Sequence, residues 1–229
     1  STSEKLLGVT VNNMMTWKEH LYGDTDNMGL ISQLKQRVGT LKRLSRYTSR
    51  MRMLASGIFY SKLECCLPVF GNNSGMGRYG ESSKMRGMTA ADCNKLQVLQ
   101  NSVNRILTGA RLGTRTEDLL NETNTISVHQ MIAFSTILMV FKVLKSGKPT
   151  YIARKLGITR EAGMAMRGWD GPTVKVPNYY LDISRGGFIY RGAKLFNNLP
   201  RTLREEKRTE VFKTELKIWI RRNVSIKPS

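Results

Sequence analysis

The residues best suited to chemistry in this chain are its cations, and the chemistry is phosphate binding. From Gln33 to Lys62 there are eight bases, Lys35, Arg37, Lys42, Arg43, Arg46, Arg50, Arg52 and Lys62, and no carboxylate. A solvated helix normally mixes both signs, because unlike charges one turn apart stabilise it and like charges repel. A run without acids keeps its positive field for an external anion. A second such run lies between Glu122 and Glu161, with Lys142, Lys145, Lys148, Arg154, Lys155 and Arg160. The C-terminal bases differ. Arg201, Arg204, Lys207, Arg208, Lys213, Lys217, Arg221 and Arg222 alternate with Glu205, Glu206, Glu210 and Glu215, as on a self-paired, solvated face.

Other chemistry has little to work with. The thiols and imidazoles, Cys65, Cys66, Cys93, His20 and His129, show no CxxC and no paired-histidine spacing for a metal. His129 reads as a core or capping residue. No phosphate loop, nucleophile elbow or dinucleotide fingerprint occurs. Two-metal nucleotidyl transfer needs adjacent carboxylates, and the chain has no Asp-Asp pair. Glu117 and Asp118 are adjacent, but they fall in a first helical turn where acids favour the dipole.

The elements that position the cations follow from periodicity. Leu30, Leu34, Val38, Leu41 and Leu44 recur as one face of a helix. With Leu34 at zero, Lys42 lies near about 80°, Lys35 near about 100°, Arg46 near about 120° and Arg43 near about 180°, beside an apolar arc from about 280° to 60°. One helix thus offers core on one side and a cationic stripe on its flank. Met51, Leu54, Ala55, Ile58 and Phe59 predict a second helix, capped by Thr48 or Ser49 and stopped by Pro68. Lys5 to Val11 reads as a short strand running into a turn at Asn12 and Asn13. The glycine-rich stretch 71–90 reads as a long loop of no assigned role. Asp92 is the expected N-cap of a helix ending at Gly109, and Thr114 with Glu117 forms a capping box for the next. Ser127 opens a helix through Leu144, apolar nearly all round and so expected at the centre. Beyond residue 160, TVKVP, YYLDI and GGFIYRG read as a small β-ribbon, and Thr202 with Glu205 as a capping box before a last helix carrying Val211, Phe212, Leu216, Trp219 and Ile220 inward.

The expected fold is mainly α: a short β element over residues 1–24, a helical bundle over 25–160, and a small β-hairpin and helix unit over 161–229. Thirty-seven Lys and Arg against 17 Asp and Glu leave a net charge of +20, so a polyanion is the natural partner. Nucleic acid ranks first. An anionic membrane surface ranks well below it: the apolar arcs are needed for the core, the longest uncharged stretch, Thr123 to Phe141, is too polar to span, and no lipidation motif occurs. Three cysteines fit a reducing, intracellular compartment, nucleus or cytoplasm, rather than secretion. No signal segment opens the sequence, and the segment reads as the interior of a longer polypeptide.

Five blocks in order, KLLGVTVNNMMTWKEH, SGIFYSKLECCLPVFG, KLQVLQNSVNRILTG, FKVLKSGKPTYIARKL and GGFIYRGAKLFNNLP, resemble the C-terminal third of reverse transcriptases from non-LTR retrotransposons, the jockey-like group in particular. The resemblance covers nearly the whole chain. It implies that Leu6, Leu7, Gly8 and Val9 belong to a primer grip with Trp17 packed beneath, and that the helices after them form a thumb along the template–primer backbone. The region beyond about residue 125 would be a connecting and C-terminal part. The family's catalytic aspartate pair and finger motifs lie upstream and are not in this sequence, nor is a CCHC knuckle or nuclease. The resemblance therefore implies a chain that holds RNA, DNA or their hybrid without polymerising alone, partnered by the palm and fingers of a parent polymerase. It implies no cofactor in this segment, Mg being expected only in that palm. A free-standing nucleic-acid-binding protein retained by a host from such an element is the alternative. Phosphates are common to RNA, DNA and hybrid, so the residues choose none of them.

Overall fold

A computed structural model describes residues 3–6, 8–12, 17–25, 27–71, 88–157, 172–179 and 187–226. The chain is mainly helical with a two-stranded antiparallel sheet at its start. The sheet corrects the first expectation. Ser3–Leu6 (β1) pairs with Val9–Asn12 (β2), Leu6 opposite Val9, so a turn falls inside KLLGVTV and Asn12 belongs to a strand, while Asn13 lies outside the described residues. Gly8 makes this possible: its φ of 86° lies where side chains are strained. β1 is largely exposed, whereas β2 buries Val9, Thr10 and Asn12 against Lys18–Tyr22 (α1).

The stripe helix forms as its period predicts, Leu30–Leu44 (α2), with Leu30, Ile31, Leu34 and Leu41 buried. The next helix is less regular. Met51–Ala55 (α3) runs into a π turn, Ser56–Tyr60, then Ser61–Glu64 (α4). Pro68 does not stop it. The break comes at Cys65 and Cys66, the latter left-handed at φ 57°, and Pro68 sits in the first turn of Leu67–Phe70 (α5), where its missing N–H is one that no helix partner would have met. Thr48 does not cap α3 in the usual way; its Oγ1 accepts the N–H of Arg50 at 3.1 Å.

Ala90–Thr108 (α6) begins one turn earlier than expected. Thr89 is the N-cap, and Asp92 is the third residue of a reciprocal capping box. Gly109 ends it in the left-handed conformation, as anticipated. The Thr114–Glu117 box does not form: Thr116–Thr123 (α7) starts after Arg115, while Thr114 donates its N–H to Arg111 C=O at 3.2 Å in the preceding turn. Val128–Ser146 (α8) is capped by Ser127 and Gln130 and is the central helix, packed by α5 and α6 on one half. Thr150–Leu156 (α9) follows.

The expected C-terminal ribbon is overturned at GGFIYRG. Phe188–Asn197 is a helix (α10), because Phe188, Gly192, Ala193 and Phe196 repeat at helical spacing and face α8. Gly192 is the close-approach point: a Cβ there would lie 2.7 Å from Val140 Cγ2. TVKVP is extended but forms no named strand; Lys175 N–H donates to Gly157 C=O at 2.9 Å, and Asn197 clamps Val174 through both backbone groups. YYLDI beyond Tyr179, residues 72–87 of the expected glycine-rich loop and Arg160 lie outside the described residues. Arg201–Glu205 (α11) contains Thr202 and Glu205 within a short helix entered from Pro200, so the second box is also absent; Glu205 pairs with Arg201 instead, at 2.8 Å. Thr209–Asn223 (α12) closes the fold with Phe212, Leu216 and Ile220 inward.

The apolar side chains form two cores that meet on α8. The first gathers α1 to α6 and the start of α8, through Leu21, Leu34, Phe59, Phe70, Leu96 and Ile132. The second gathers the rest of α8 with α9 to α12, around Phe141 and Phe212, whose rings stack with centroids 3.9 Å apart. Beside the first core α6 buries an amide ladder. Gln97 accepts from Val128 N–H, Gln100 donates to Ile126 C=O, Asn101 donates to Thr116 Oγ1, and Asn104 accepts from Tyr60 OH. Buried amides need partners, and through Gln97 the ladder ties α6 to the first residue of α8, although Gln100 Oε1 has no partner among the described residues. By length and composition Met51–Phe70 and Val128–Ser146 could each cross a membrane, contrary to the sequence expectation; here the first is broken at Cys65–Cys66 and the second is the core helix.

Candidate nucleic-acid interface

Lys35 and Lys42 lie two helical turns apart on the flank of α2, about 10 Å along its axis, and both are exposed. Arg43 is exposed beside them. Arg46 is exposed too, but α2 has ended at Leu44, so Arg46 sits in the following turn rather than on the helical stripe. Arg50 is the N-cap of α3 and Arg52 lies in its first turn, both exposed. The structure therefore brings Lys42, Arg43, Arg46, Arg50 and Arg52 to the corner between two helices. None of the six predicted side chains makes an ion pair or hydrogen bond among the described residues.

The helix dipole separates these cations. Lys42 and Arg43 in the last turn of α2 stabilise that helix. Arg50 and Arg52 stand at a helix start, where a cation is unfavourable, so local helix energetics do not explain them. Arg37 is different again. It falls at about 300° on the wheel, inside the apolar arc, and its guanidinium donates to Ile58 C=O in the π turn. Lys62 is half-buried.

The second predicted run borders the other core. Lys142, Lys145 and Lys148 are exposed along the end of α8 and just past it, and Arg154 and Lys155 are exposed on α9, which packs on α8 and α10. Lys145 donates to Thr209 Oγ1 at 3.0 Å. Lys142 lines a cleft of about 510 Å³ together with Tyr60, Glu64 and Lys217. Burial there pushes the Glu64 carboxyl up, against the pull of Lys217; burial, with Arg221 nearby, lowers Lys217.

Of the grip-like residues, Gly8 forms the hairpin turn, Val9 is buried and Trp17 packs on the first core. Leu7 lies outside the described residues. Leu6 is the exposed apolar residue of the hairpin, at 66%.

Sequence reasoning missed two features. Tyr22, Asp92 and Lys95 join α1 to α6: Tyr22 OH donates to the Asp92 carboxylate, and Lys95 donates to Tyr22 OH at 2.7 Å. Burial pushes Asp92 up, but hydrogen bonds from Tyr22 and Thr89 outweigh it and hold the group below its usual range. The other is Tyr47, 84% exposed in the cationic turn. Its signal was an aromatic between Arg46 and Arg50, out of phase with either apolar face. His129, expected as a core or capping residue, is half-buried in the first turn of α8, and its Nδ1 meets Ser225 C=O at 2.9 Å. Among the described residues no three His, Cys, Asp or Glu side chains gather as a metal site. Compared with protein-family models, curated proteins and solved structures, the chain finds no match, so residues and geometry carry its reading.

Proposed function

We propose that this chain is a nucleic-acid-binding module that grips the phosphate backbone of a duplex through α2 and the α2–α3 corner, holding template and primer for a polymerase without catalysing. The observation that carries this reading is the free state of Lys35, Lys42, Arg43, Arg46, Arg50 and Arg52: six exposed cations in one acid-free segment, with no ion pair among the described residues. Their only missing partner is an anion from outside. The five ordered blocks that resemble the reverse-transcriptase C-terminal region favour a template–primer duplex as that partner. Contacts to phosphate position a duplex and carry no base readout, so little sequence preference is expected. Lys142, Lys145, Lys148, Arg154 and Lys155 would extend the basic surface on the second core.

The test is a titration against RNA–DNA hybrid, duplex DNA and single-stranded RNA at several salt concentrations. With about four to six phosphates neutralised, log K falls with log salt at a slope of roughly −4 to −5. Changing Lys35, Lys42, Arg43 and Arg46 together to Gln flattens the slope by about 3 units while circular dichroism stays unchanged. Absence of binding at low salt overturns the reading, and an unchanged slope in the variant removes α2 from it.

A further inference from the structure

A surface that holds only phosphates has no use for an exposed aromatic ring, yet the α2–α3 corner presents one. Tyr47 is 84% exposed, more than Tyr151 at 66%, and its ring makes no contact with another ring and no hydrogen bond among the described residues. Single exposed aromatics are ordinary on protein surfaces. The setting of this one is not. Arg43, Arg46, Arg50 and Arg52 surround it in sequence, all exposed, and no carboxylate occurs between Asp26 and Glu64.

The turn beneath the ring is built rather than loose. Ser45 N–H donates to Leu41 C=O at 2.9 Å, Tyr47 N–H to Leu44 C=O at 2.9 Å, and Arg50 N–H to Thr48 Oγ1 at 3.1 Å. Each bond fixes one step of the chain between the end of α2 and the start of α3. The ring is therefore offered to solvent from a defined support, which limits the entropy lost when something stacks on it. Cations that track a backbone combined with an aromatic face are the elements that hold single strands, because every base has a π-face. A paired base inside a duplex has both faces covered by its neighbours and cannot reach the ring.

We infer that Tyr47, flanked by Arg46 and Arg50, is a stacking site for an unpaired base where a bound duplex passes into single strand. This rests on the phosphate-backbone reading of the same corner and adds a ligand class to it: a junction or overhang rather than a blunt duplex. The phenol ring and not its hydroxyl does the work, so the site tolerates any base and is blind to sequence.

The experiment compares the full chain on a blunt duplex and on the same duplex with a short overhang, in RNA and DNA versions, with 2-aminopurine at the first unpaired position. The overhang tightens binding by about tenfold and the 2-aminopurine emission is quenched on binding, as stacking requires. Tyr47→Ala removes both effects and leaves blunt-duplex affinity unchanged, and Tyr47→Phe retains both. Blunt-duplex binding with no gain from the overhang overturns this site alone, as does a gain that survives in Tyr47→Ala. Failure of the wild-type chain to bind the blunt duplex at low salt overturns the phosphate reading and this site with it.

Discussion

The α2–α3 corner of the first core and the C-terminal helices of the second are both rich in cations and treat them in opposite ways. On the C-terminal helices of the second core the bases are turned to internal use: Arg201 pairs with Glu205 and Lys213 with Glu210, each at 2.8 Å, Arg204 donates to Pro172 C=O, and Lys217 and Arg221 reach Asn124 and Thr125 carbonyls at 2.7 and 3.0 Å. Around the first, Lys35, Lys42, Arg43, Arg46, Arg50 and Arg52 reach no such partner among the described residues. Net charge therefore says little about where a polyanion binds. What decides it is which cations already have an acceptor in the fold, and by that standard the α2–α3 corner is open and the C-terminal helices are not, while Lys142, Lys148, Arg154 and Lys155 form a second, smaller exposed set.

The largest expected effect tests whether the regions are separate at all. Phe212 stacks on Phe141 with an interplanar angle of 10° at the heart of the second core. Phe212→Ala removes a fully buried ring and costs about 3–5 kcal/mol. If the cores are distinct, amide exchange quickens in α10 and α12 while α2 keeps its protection and duplex binding keeps its salt slope. Equal loss of protection in α2 would merge the cores and dissolve the comparison.

The sequence made parts of this contrast legible and hid others for physical reasons. The faces of α2, α6 and α8 follow from apolar spacing alone, and the acid-free run marked the open region. Helix starts were misread at Asp92, Thr114 and Thr202, because a capping residue competes with its neighbours for the same few N–H groups and tertiary packing selects the winner. Phe188 to Gly192 read as strand through its aromatic and β-branched residues, although Phe188, Gly192 and Phe196 already held helical spacing; Gly192 is the place where α10 touches α8. The amide ladder of α6 was invisible, since Gln97, Gln100, Asn101 and Asn104 look like surface residues until their partners are known. For the interface, exposure was legible, and so was the self-pairing of the C-terminal bases with their interleaved glutamates; bonds from bases to distant carbonyls were not. Nothing in the one-dimensional pattern says that Lys217 caps a carbonyl while Lys35 does not.

A second, smaller effect separates the regions by pH. His20 lies in the first core against Phe70, and its Nδ1 accepts the Thr10 N–H at 3.4 Å. Burial first, then the positive charges of Lys62 and Lys5, lower its pKa from 6.5 to about 4. The unfolded chain thus takes up a proton near pH 6.5, which the folded chain refuses until about pH 4. Stability of the first core is complete above that window and is lost as pH falls through it, by about 2 kcal/mol after solvent screening. Urea unfolding followed at pH 7 and pH 4.5 shows the loss, and His20→Phe reduces it. A pH dependence unchanged in that variant would place the acid sensitivity elsewhere.

The smallest effect sharpens the comparison most, because the two variants it compares carry the same net charge. Lys35→Gln with Lys42→Gln, and Lys217→Gln with Arg221→Gln, each remove two positive charges. The second pair also removes two charged donors from the carbonyls of Asn124 and Thr125, just past the end of α7. Partly exposed bonds of this kind stabilise modestly, so the double variant lowers unfolding stability by about 1 kcal/mol. The first pair leaves no acceptor unmet, and its change stays within about 0.5 kcal/mol. Binding should divide the other way: the salt slope flattens by about 2 units for the Lys35 and Lys42 pair and stays put for the other. Equal slopes in the two variants would mean that the duplex responds to total charge, and the distinction between cations that hold the fold and cations that await a phosphate would fail. A crossed result, stability falling in one variant and affinity in the other, follows only if the positions of these four side chains, and not their number, decide what each does.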